Sequence, residues 1–158
     1  MKDEIWTIDF EASSLDMIMS YPIQVGYFNG EIEREFLIKP LSGWTDWDEK
    51  SQAIHGINRH ELLEGLTVNE VAERMNEDLI GNKVWCDGGL SDQTWNFRIF
   101  DAAGIEPKFQ VLHYQIIGIN ENVEHRALPD AKQLWYHIKE QNDARENERL
   151  RISEESLR

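Results

Sequence analysis

The sequence of 158 residues has a single cysteine and no long apolar run. These two features exclude an internal disulfide and a membrane-spanning helix. Because Cys86 is the only cysteine, an internal disulfide is excluded. No apolar segment approaches the ~20 residues that a membrane-spanning helix needs, and no charged stretch followed by an apolar run opens the chain. We therefore expect a cytoplasmic protein that does not bind a membrane.

Basic residues are also scarce, since 16 lysines and arginines stand against 30 aspartates and glutamates, for a formal net charge of −14. Proteins that bind long nucleic acid duplexes usually have a basic face, because phosphate neutralisation and counterion release supply much of their affinity. Such a face is not expected here. On composition alone, the acidity is explained by solubility.

The chain does contain enough apolar residues for one globular domain. Its hydrophobic content of 41% and aromatic content of 10% are typical of folded proteins, and its length suffices to bury a core. From residue 142 onward the sequence is dense in charge and poor in apolar residues. We therefore expect a folded domain over residues 1–141 and a charged C-terminal helix or tail over residues 142–158.

Strand signals come first along the chain. Residues 4–10, 23–28 and 31–38 each favour a strand, and Asn29-Gly30 is a typical two-residue hairpin turn between the last two. These segments predict an antiparallel three-strand meander at the start of the domain.

Helical signals alternate with short strands after that. Thr67-Val68-Asn69-Glu70 is a capping box that begins one helix, and Pro129 suits the first turn of another that runs to about Gln141. Between them, residues 83–86 predict a strand, Ser91 or Asp92 can cap a helix that runs to about residue 103, and residues 109–114 fit either a strand or a helix. The whole order predicts an α/β fold with a mixed central sheet flanked by helices.

Asp9 and Glu11 are two residues apart on the first predicted strand, so their side chains lie on the same face, ~7 Å apart. Two carboxylates on a buried strand repel each other and lose hydration, which is tolerable mainly when cations lie between them. An edge strand that faces solvent is the alternative. Ile5, Ile8 and Phe10 favour a central strand instead.

Asp92 and the pair His125 and Asp130 complete the acidic motifs. Asp92 precedes a predicted helix, where helix capping is an alternative role, and Asp87 at the end of a strand competes with it as a metal ligand. Asp130 falls in a first helical turn, where the helix dipole favours an anion. His125 precedes that helix, and its imidazole can accept a proton near neutral pH, although a surface histidine would look the same.

The order Asp-x-Glu, then Asp before a helix, then His-x-x-x-x-Asp resembles the DEDDh branch of the DnaQ-like 3′–5′ exonucleases over about residues 4 to 140. Residues 8–15, 22–26 and 53–57 resemble further segments of that family, and His125-Arg126-Ala127-Leu128-Pro129-Asp130-Ala131 is the most specific match. Ser14 replaces the usual glycine. The segment around Asp92 departs most, because Asp87-Gly88-Gly89 precedes it.

The resemblance implies a ribonuclease H-like fold and a metal-dependent hydrolase that removes nucleoside 5′-monophosphates from the 3′ ends of single-stranded DNA or RNA. Two divalent cations, Mg²⁺ or Mn²⁺, would be held by four carboxylates, and His125 would act as the general base. Many members are dimers, so a homodimer is one expected assembly. The catalytic and metal-binding set is Asp9, Glu11, Asp92, His125 and Asp130.

Contacts to the substrate are a further expectation, and the candidate residues are Phe10, Ala12, Ser13, His55 and Arg126. Phe10 could stack on a terminal base, although a place in the strand core would explain it equally well. His55 could contact the nucleotide or end a helix. Two other classes of function stay open: a catalytically inactive module of the same fold that binds without metals, and an interaction protein whose acidic surface docks a basic partner.

Overall fold

A mixed sheet of five strands forms the centre of the computed structural model, which describes residues 4–116 and 125–157. The strands lie in the order β3-β2-β1-β4-β5, in which β1 and β2 and also β2 and β3 pair antiparallel, whereas β1 and β4 and also β4 and β5 pair parallel. Their bounds are β1 Trp6–Ala12, β2 Pro22–Phe28, β3 Glu33–Leu37, β4 Lys83–Cys86 and β5 Gln110–His113.

Four α-helices and one 3₁₀ helix accompany this sheet in the described ranges. Their starts follow ordinary capping chemistry: the side chain of Asp48 accepts hydrogen bonds at the start of α1, and Thr67 Oγ1 accepts one from the backbone of Glu70 at the start of α2. The bounds are α1 Glu49–His55, the 3₁₀ helix Arg59–Glu64, α2 Val68–Leu79, α3 Leu90–Ala103 and α4 Ala127–Ser156.

The alternation of side chains along β1 separates the core from the polar face. Trp6, Ile8 and Phe10 belong to the main apolar core, together with buried residues of α2 and α3. Thr7 and Asp9 point to the other face, where α4 packs across β1 and β2. The side of the central strand that carries the acidic residues is therefore covered by the first half of α4.

The start of α4 is fixed to the sheet by polar and steric contacts. Gln24 Oε1 accepts a buried hydrogen bond of 3.1 Å from the backbone N–H of Ala127. A Cβ atom at Gly26 would lie 2.3 Å from the backbone nitrogen of Leu128, so only glycine allows this approach. These contacts set the position of the residues around the α4 N-terminus.

The predicted α/β class and mixed central sheet are confirmed, but three details were wrong or incomplete. The loop between β2 and β3 spans four residues rather than the predicted two, because Asn29 Oδ1 accepts hydrogen bonds from the backbone of Glu31 and Ile32. The helix α3 begins at Leu90, after Gly89 with φ 58°, so neither Ser91 nor Asp92 is its cap. Residues 109–114, for which strand and helix were both open, contain β5.

The last helix also runs further than predicted. It continues to Ser156 instead of ending near Gln141, so the charged segment from residue 142, for which helix and tail were both open, is helical to Ser156. Ion pairs one turn apart support this exposed extension, such as Lys139 with Asp143 at 2.9 Å and Arg151 with Glu148 at 2.8 Å. Among the described helices, none combines the length and apolar character needed to cross a bilayer.

Candidate active site

Five carboxylates meet where β1, the end of β4 and the first turns of α3 and α4 converge. Asp9 and Glu11 come from β1, and Asp130 lies in the first turn of α4. Asp92 lies in the first turn of α3, and Asp87 directly follows β4. The five carboxylates therefore come from four elements, and two of them lie on the central strand β1.

These carboxylates form two groups that share Asp9. One oxygen each from Asp9, Glu11 and Asp130 lie within 4.8 Å of one another, and the same holds for Asp9, Asp87 and Asp92. Opposite ligands of an Mg²⁺ ion are separated by about 4.2 Å, so either group needs only a small contraction to hold one hard cation. A carboxylate shared by two such groups is the arrangement expected of a two-cation site.

Electrostatics make this cluster unfavourable without cations. Burial raises the pKa of Asp9 well above its usual range, and Asp92 and Glu11 raise it further. Burial followed by the charge of Asp130 raises the pKa of Glu11 to about 8, although Arg126 opposes the shift. Burial and then Asp87 raise the pKa of Asp92 to about 7, against a hydrogen bond from Gly88. The fold thus holds several acids that resist ionisation near neutral pH.

The Asp9 carboxylate indicates which ligand would offset the cost of burying these acids. Asp9 Oδ2 is buried and has no hydrogen-bond partner among the described residues, although the side chain is 9% exposed. A buried carboxylate oxygen without a donor is rare and costly. Carboxylate oxygens are the ligands that Mg²⁺ and Mn²⁺ prefer. The donor set therefore fits a pair of hard divalent cations.

Asp92 is positioned by packing and by the preceding turn. The backbone N–H of Gly88 donates a hydrogen bond of 3.0 Å to Asp92 Oδ2. On the same helix, Trp95 and Ile99 are buried, and Trp95 Nε1 donates a hydrogen bond of 3.0 Å to Ser20 Oγ. These contacts hold the start of α3, and with it Asp92, against the rest of the fold.

A cavity of about 870 Å³ opens over the acidic cluster. His125 is exposed and lines this cavity together with Asp9, Glu11, Asp92 and Asp130. The structure thus brings all five predicted catalytic and metal-binding residues to one space. His125 lies just before Arg126, which precedes α4, so the docked N-terminus of α4 positions it.

The predicted substrate contacts are only partly brought together. Phe10, Ala12 and His55 line the cavity, whereas Ser13 and Arg126 are not among its lining residues. Phe10 is 4% exposed and belongs mainly to the core. The Ser13 hydroxyl is used within the fold, because it donates to Asp46 Oδ2 at 3.0 Å and accepts from the backbone of Tyr21 at 3.1 Å.

His55 and Arg126 have distinct environments beside the site. His55 Nδ1 accepts a hydrogen bond of 3.0 Å from the backbone of Ile57, which leaves the proton on Nε2. That nitrogen is buried without a partner in the described part of the chain. Arg126 lies close enough to Glu11 to oppose the rise of its pKa, and it contacts the carbonyl oxygen of Gly56 at 3.4 Å.

Sequence reasoning missed one wall of the cavity. Gln133, His137 and Glu140 of α4 line it, and the ring of His137 packs edge-on against Tyr114. Their positions three, seven and ten residues after Asp130 place them on one helix face with it, and that spacing is the signal that could have identified them.

Comparisons with known proteins bear on the fold. No family model matches the sequence, and no curated protein matches it either. Among solved structures, Escherichia coli exonuclease I in complex with a dA16 oligonucleotide is 13% identical, with a TM-score of 0.58. Exonuclease I from Methylocaldum szegediense is 17% identical, with a TM-score of 0.64. The chain shares its fold with part of exonuclease I.

The similarity covers most of this chain but a minor part of each exonuclease I. The match covers 71% of this chain and 28% of the E. coli protein, and 82% of this chain and 38% of the M. szegediense protein. The chain therefore spans well under half the length of these enzymes. A further similar structure is the zinc-bound form of the E. coli ExoI–ssDNA complex, at 14% identity and a TM-score of 0.58.

Proposed function

We propose that this chain is a metal-dependent 3′–5′ exonuclease of the DEDDh type, with a ribonuclease H-like fold. The observation that carries the proposal is the pair of acidic groups that share Asp9, in a cavity that His125 also lines. The shared fold with exonuclease I supports a nuclease. The substrate would be the 3′ end of a single strand, and the products would be nucleoside 5′-monophosphates.

Asp9, Glu11, Asp92 and Asp130 would hold two divalent cations, Mg²⁺ or Mn²⁺. When bound, the cations would activate a water and stabilise the charge that develops on the phosphate and on the leaving oxygen. Asp9 suits the shared position, because its Oδ2 is buried without a partner in the described ranges and because it belongs to both groups of carboxylates. Asp130 lies in the first turn of α4, where the helix dipole favours the ionised carboxylate that a cation needs.

His125 would act as the general base. Its exposed imidazole lines the cavity, so one ring nitrogen can reach an attacking water and then release the proton to solvent. Removal of a general base typically costs about 10²–10⁴-fold in rate. Since His125 is not a metal ligand in this account, its loss should leave cation binding intact.

The surroundings of the cavity favour the end of a single strand. Leu15 and Ile54 line it as exposed apolar residues on which a base can rest, and the protonated Nε2 of His55 can donate to an oxygen of the terminal nucleotide. The net charge of −14 disfavours a long duplex, which needs an extended basic surface. Two of the similar exonuclease I structures hold single dA16 or dT13 oligonucleotides.

The test is a gel time course on matched 5′-labelled single-stranded RNA and DNA, with Mn²⁺, Mg²⁺ or EDTA. We expect a ladder that shortens from the 3′ end with either metal, none with EDTA, and the stronger ladder to reveal the preferred sugar. Asp9→Asn should abolish the ladder, and His125→Ala should slow it about 10²–10⁴-fold while Mn²⁺ still binds.

The matched control is Asp101→Asn, which makes the same chemical change at an exposed aspartate of α3 that does not line the cavity. This variant should match the wild type. A folded, Mn²⁺-loaded wild type that leaves both strands intact would contradict the proposed function, and so would an Asp9→Asn variant with undiminished activity.

A further inference from the structure

Asp87 is an acidic residue at the site to which the four-carboxylate pattern gives no role. It follows the last residue of β4 and is exposed, yet one of its carboxylate oxygens lies within 4.8 Å of ligand atoms of Asp9 and Asp92. Three acids at this distance repel one another. Their proximity therefore needs an explanation in the fold or in a ligand.

The local fold explains how Asp87 is brought there. After β4 the chain turns at Gly88 and Gly89, and the Gly88 N–H donates to Asp92 Oδ2 at 3.0 Å. A Cβ atom at residue 88 would lie 2.3 Å from the same oxygen, so the turn wraps closely around the Asp92 carboxylate. Because the backbone of Gly88 contacts the Asp92 carboxylate, the turn holds the preceding residue, Asp87, close to Asp92.

Among the described residues, neither a helix cap nor a salt bridge accounts for the position of the Asp87 side chain. The N-cap of α3 is Gly89, and among the described residues no side chain caps this helix by a hydrogen bond. In the described ranges, Asp87 forms no ion pair with a lysine or arginine, and burial raises the pKa of its carboxyl, opposed first by a hydrogen bond with its own backbone and then by His113. An acid that helps neither the helix nor a salt bridge is free to bind a cation.

The independent sign of a ligand is on Asp9. This side chain is nine-tenths buried and lines the cavity, and its Oδ2 has no hydrogen-bond partner among the described residues. Glu11 and Asp130 form one group with Asp9, and Asp87 and Asp92 form the other group with it. Each group offers three carboxylates, and the orphaned oxygen belongs to the residue that both groups share.

We propose that Asp87 is a direct ligand of the second divalent cation, together with Asp92 and the shared Asp9, while Glu11 and Asp130 hold the first. This inference rests on the proposed two-cation site and adds a fifth carboxylate to it. Five carboxylates and two divalent cations leave one net negative charge, which the nearby Arg126 can offset. The ligand class is a hard divalent cation such as Mn²⁺ or Mg²⁺.

The experiment is a titration of the metal-free full chain with Mn²⁺, in which electron paramagnetic resonance counts the free ion and detects spin coupling between two bound ions. It compares the wild type with Asp87→Asn, Glu11→Gln and the control Asp101→Asn. Asp87→Asn is nearly isosteric at an exposed position, so the fold should persist, and circular dichroism checks this.

We expect two Mn²⁺ ions with a spin-coupled spectrum in the wild type and in Asp101→Asn. Asp87→Asn should keep the first ion and weaken the second at least about tenfold, since even outer contacts to metal ligands contribute about 10–100-fold in affinity. The coupled signal should then be lost when two equivalents of Mn²⁺ are added. Glu11→Gln should weaken the other ion.

An Asp87→Asn variant that binds both ions with wild-type affinity would overturn the inference, as would an equal weakening of both ions, which is the signature of a general charge effect. In either case, a wild type that still shortens strands only with Mn²⁺ would leave the proposed function standing. A wild type that binds no Mn²⁺ would overturn both.

Discussion

The hydroxyl of Thr7 donates a buried hydrogen bond of 2.6 Å to the carbonyl oxygen of Ala131. This bond joins the central strand β1 to the first turns of α4, two residues before Asp9 on one side and one residue after Asp130 on the other. The bond therefore helps to set the distance between Asp9 and Asp130, which are far apart in the sequence. The geometry of the acidic cluster thus depends on contacts between β1 and α4 as well as on the carboxylates.

Thr7→Val tests this contact, because valine keeps the branched shape and removes the hydroxyl. We expect the free energy of unfolding to fall by about 1 kcal/mol, the usual net contribution of one hydrogen bond, as measured by urea denaturation. The control is Thr45→Val at an exposed position, which should change the stability by less than about 0.5 kcal/mol. Equal effects of the two variants would refute the role of the buried bond.

Gly26→Ala should disturb the same interface more strongly. The new Cβ atom would lie 2.3 Å from the backbone nitrogen of Leu128, so β2 or α4 must shift. We expect a loss of about 1–3 kcal/mol in stability, together with weaker Mn²⁺ binding because Asp130 moves with α4. Both can be measured on one preparation, by urea denaturation and by calorimetric titration.

The control for that variant is Gly43→Ala, since a Cβ atom at residue 43 would meet no atom of the described residues within 4 Å. It should change the stability by less than about 0.5 kcal/mol and leave Mn²⁺ affinity unchanged. If Gly26→Ala also left both stability and Mn²⁺ affinity unchanged, α4 would not approach the sheet as closely as the structure shows.

The metal-free protein should lose stability as the pH rises. Glu11 has its pKa raised to about 8 and Asp92 to about 7, so the folded chain retains protons that the unfolded chain has already released. The unfolded state then binds fewer protons, and the free energy of unfolding falls between about pH 4.5 and pH 8, by at most about 1.4 kcal/mol per pH unit for each group. Mn²⁺ should reduce this dependence because it stabilises the ionised carboxylates.

Glu11→Gln removes one of these acids, so its stability in EDTA should fall less steeply with pH than that of the wild type. Glu73→Gln, at an exposed position of α2, should keep the wild-type slope. Urea denaturation at a series of pH values gives the slopes. A metal-free wild type that becomes more stable from pH 5 to pH 8 would contradict the raised pKa values of Glu11 and Asp92 in the folded protein.

The elements that local signals specify were predictable from the sequence. The capping box at Thr67, the strand over residues 83–86 and the stop of α3 at Gly104 depend on neighbouring residues and agree with the structure. The same holds for the alternation that puts Asp9 and Glu11 on one face of β1. Acidic residues on a central strand were informative because burying them without a ligand is costly.

Features that depend on distant contacts were not predictable. The true start of α3 is set by Gly89 in a conformation that suits glycine, and the relation of Asp87 to Asp92 follows from the turn at Gly88. The spacing after Asp130 indicates which residues of α4 share its face, but how that face docks against Gly26 depends on contacts distant in the sequence. The exposed second half of α4 has few apolar residues, so the pattern gave little signal for a helix that ion pairs support.

The most direct test of the central claim is the identity of the released product. Wild-type protein with Mn²⁺ is incubated with single strands that carry phosphorothioate linkages at either the 3′ or the 5′ end, and the products are separated by chromatography. We predict release of nucleoside 5′-monophosphates from the strand blocked at its 5′ end, and little from the strand blocked at its 3′ end. Internal fragments, nucleoside 3′-monophosphates or release that persists in EDTA would contradict the account.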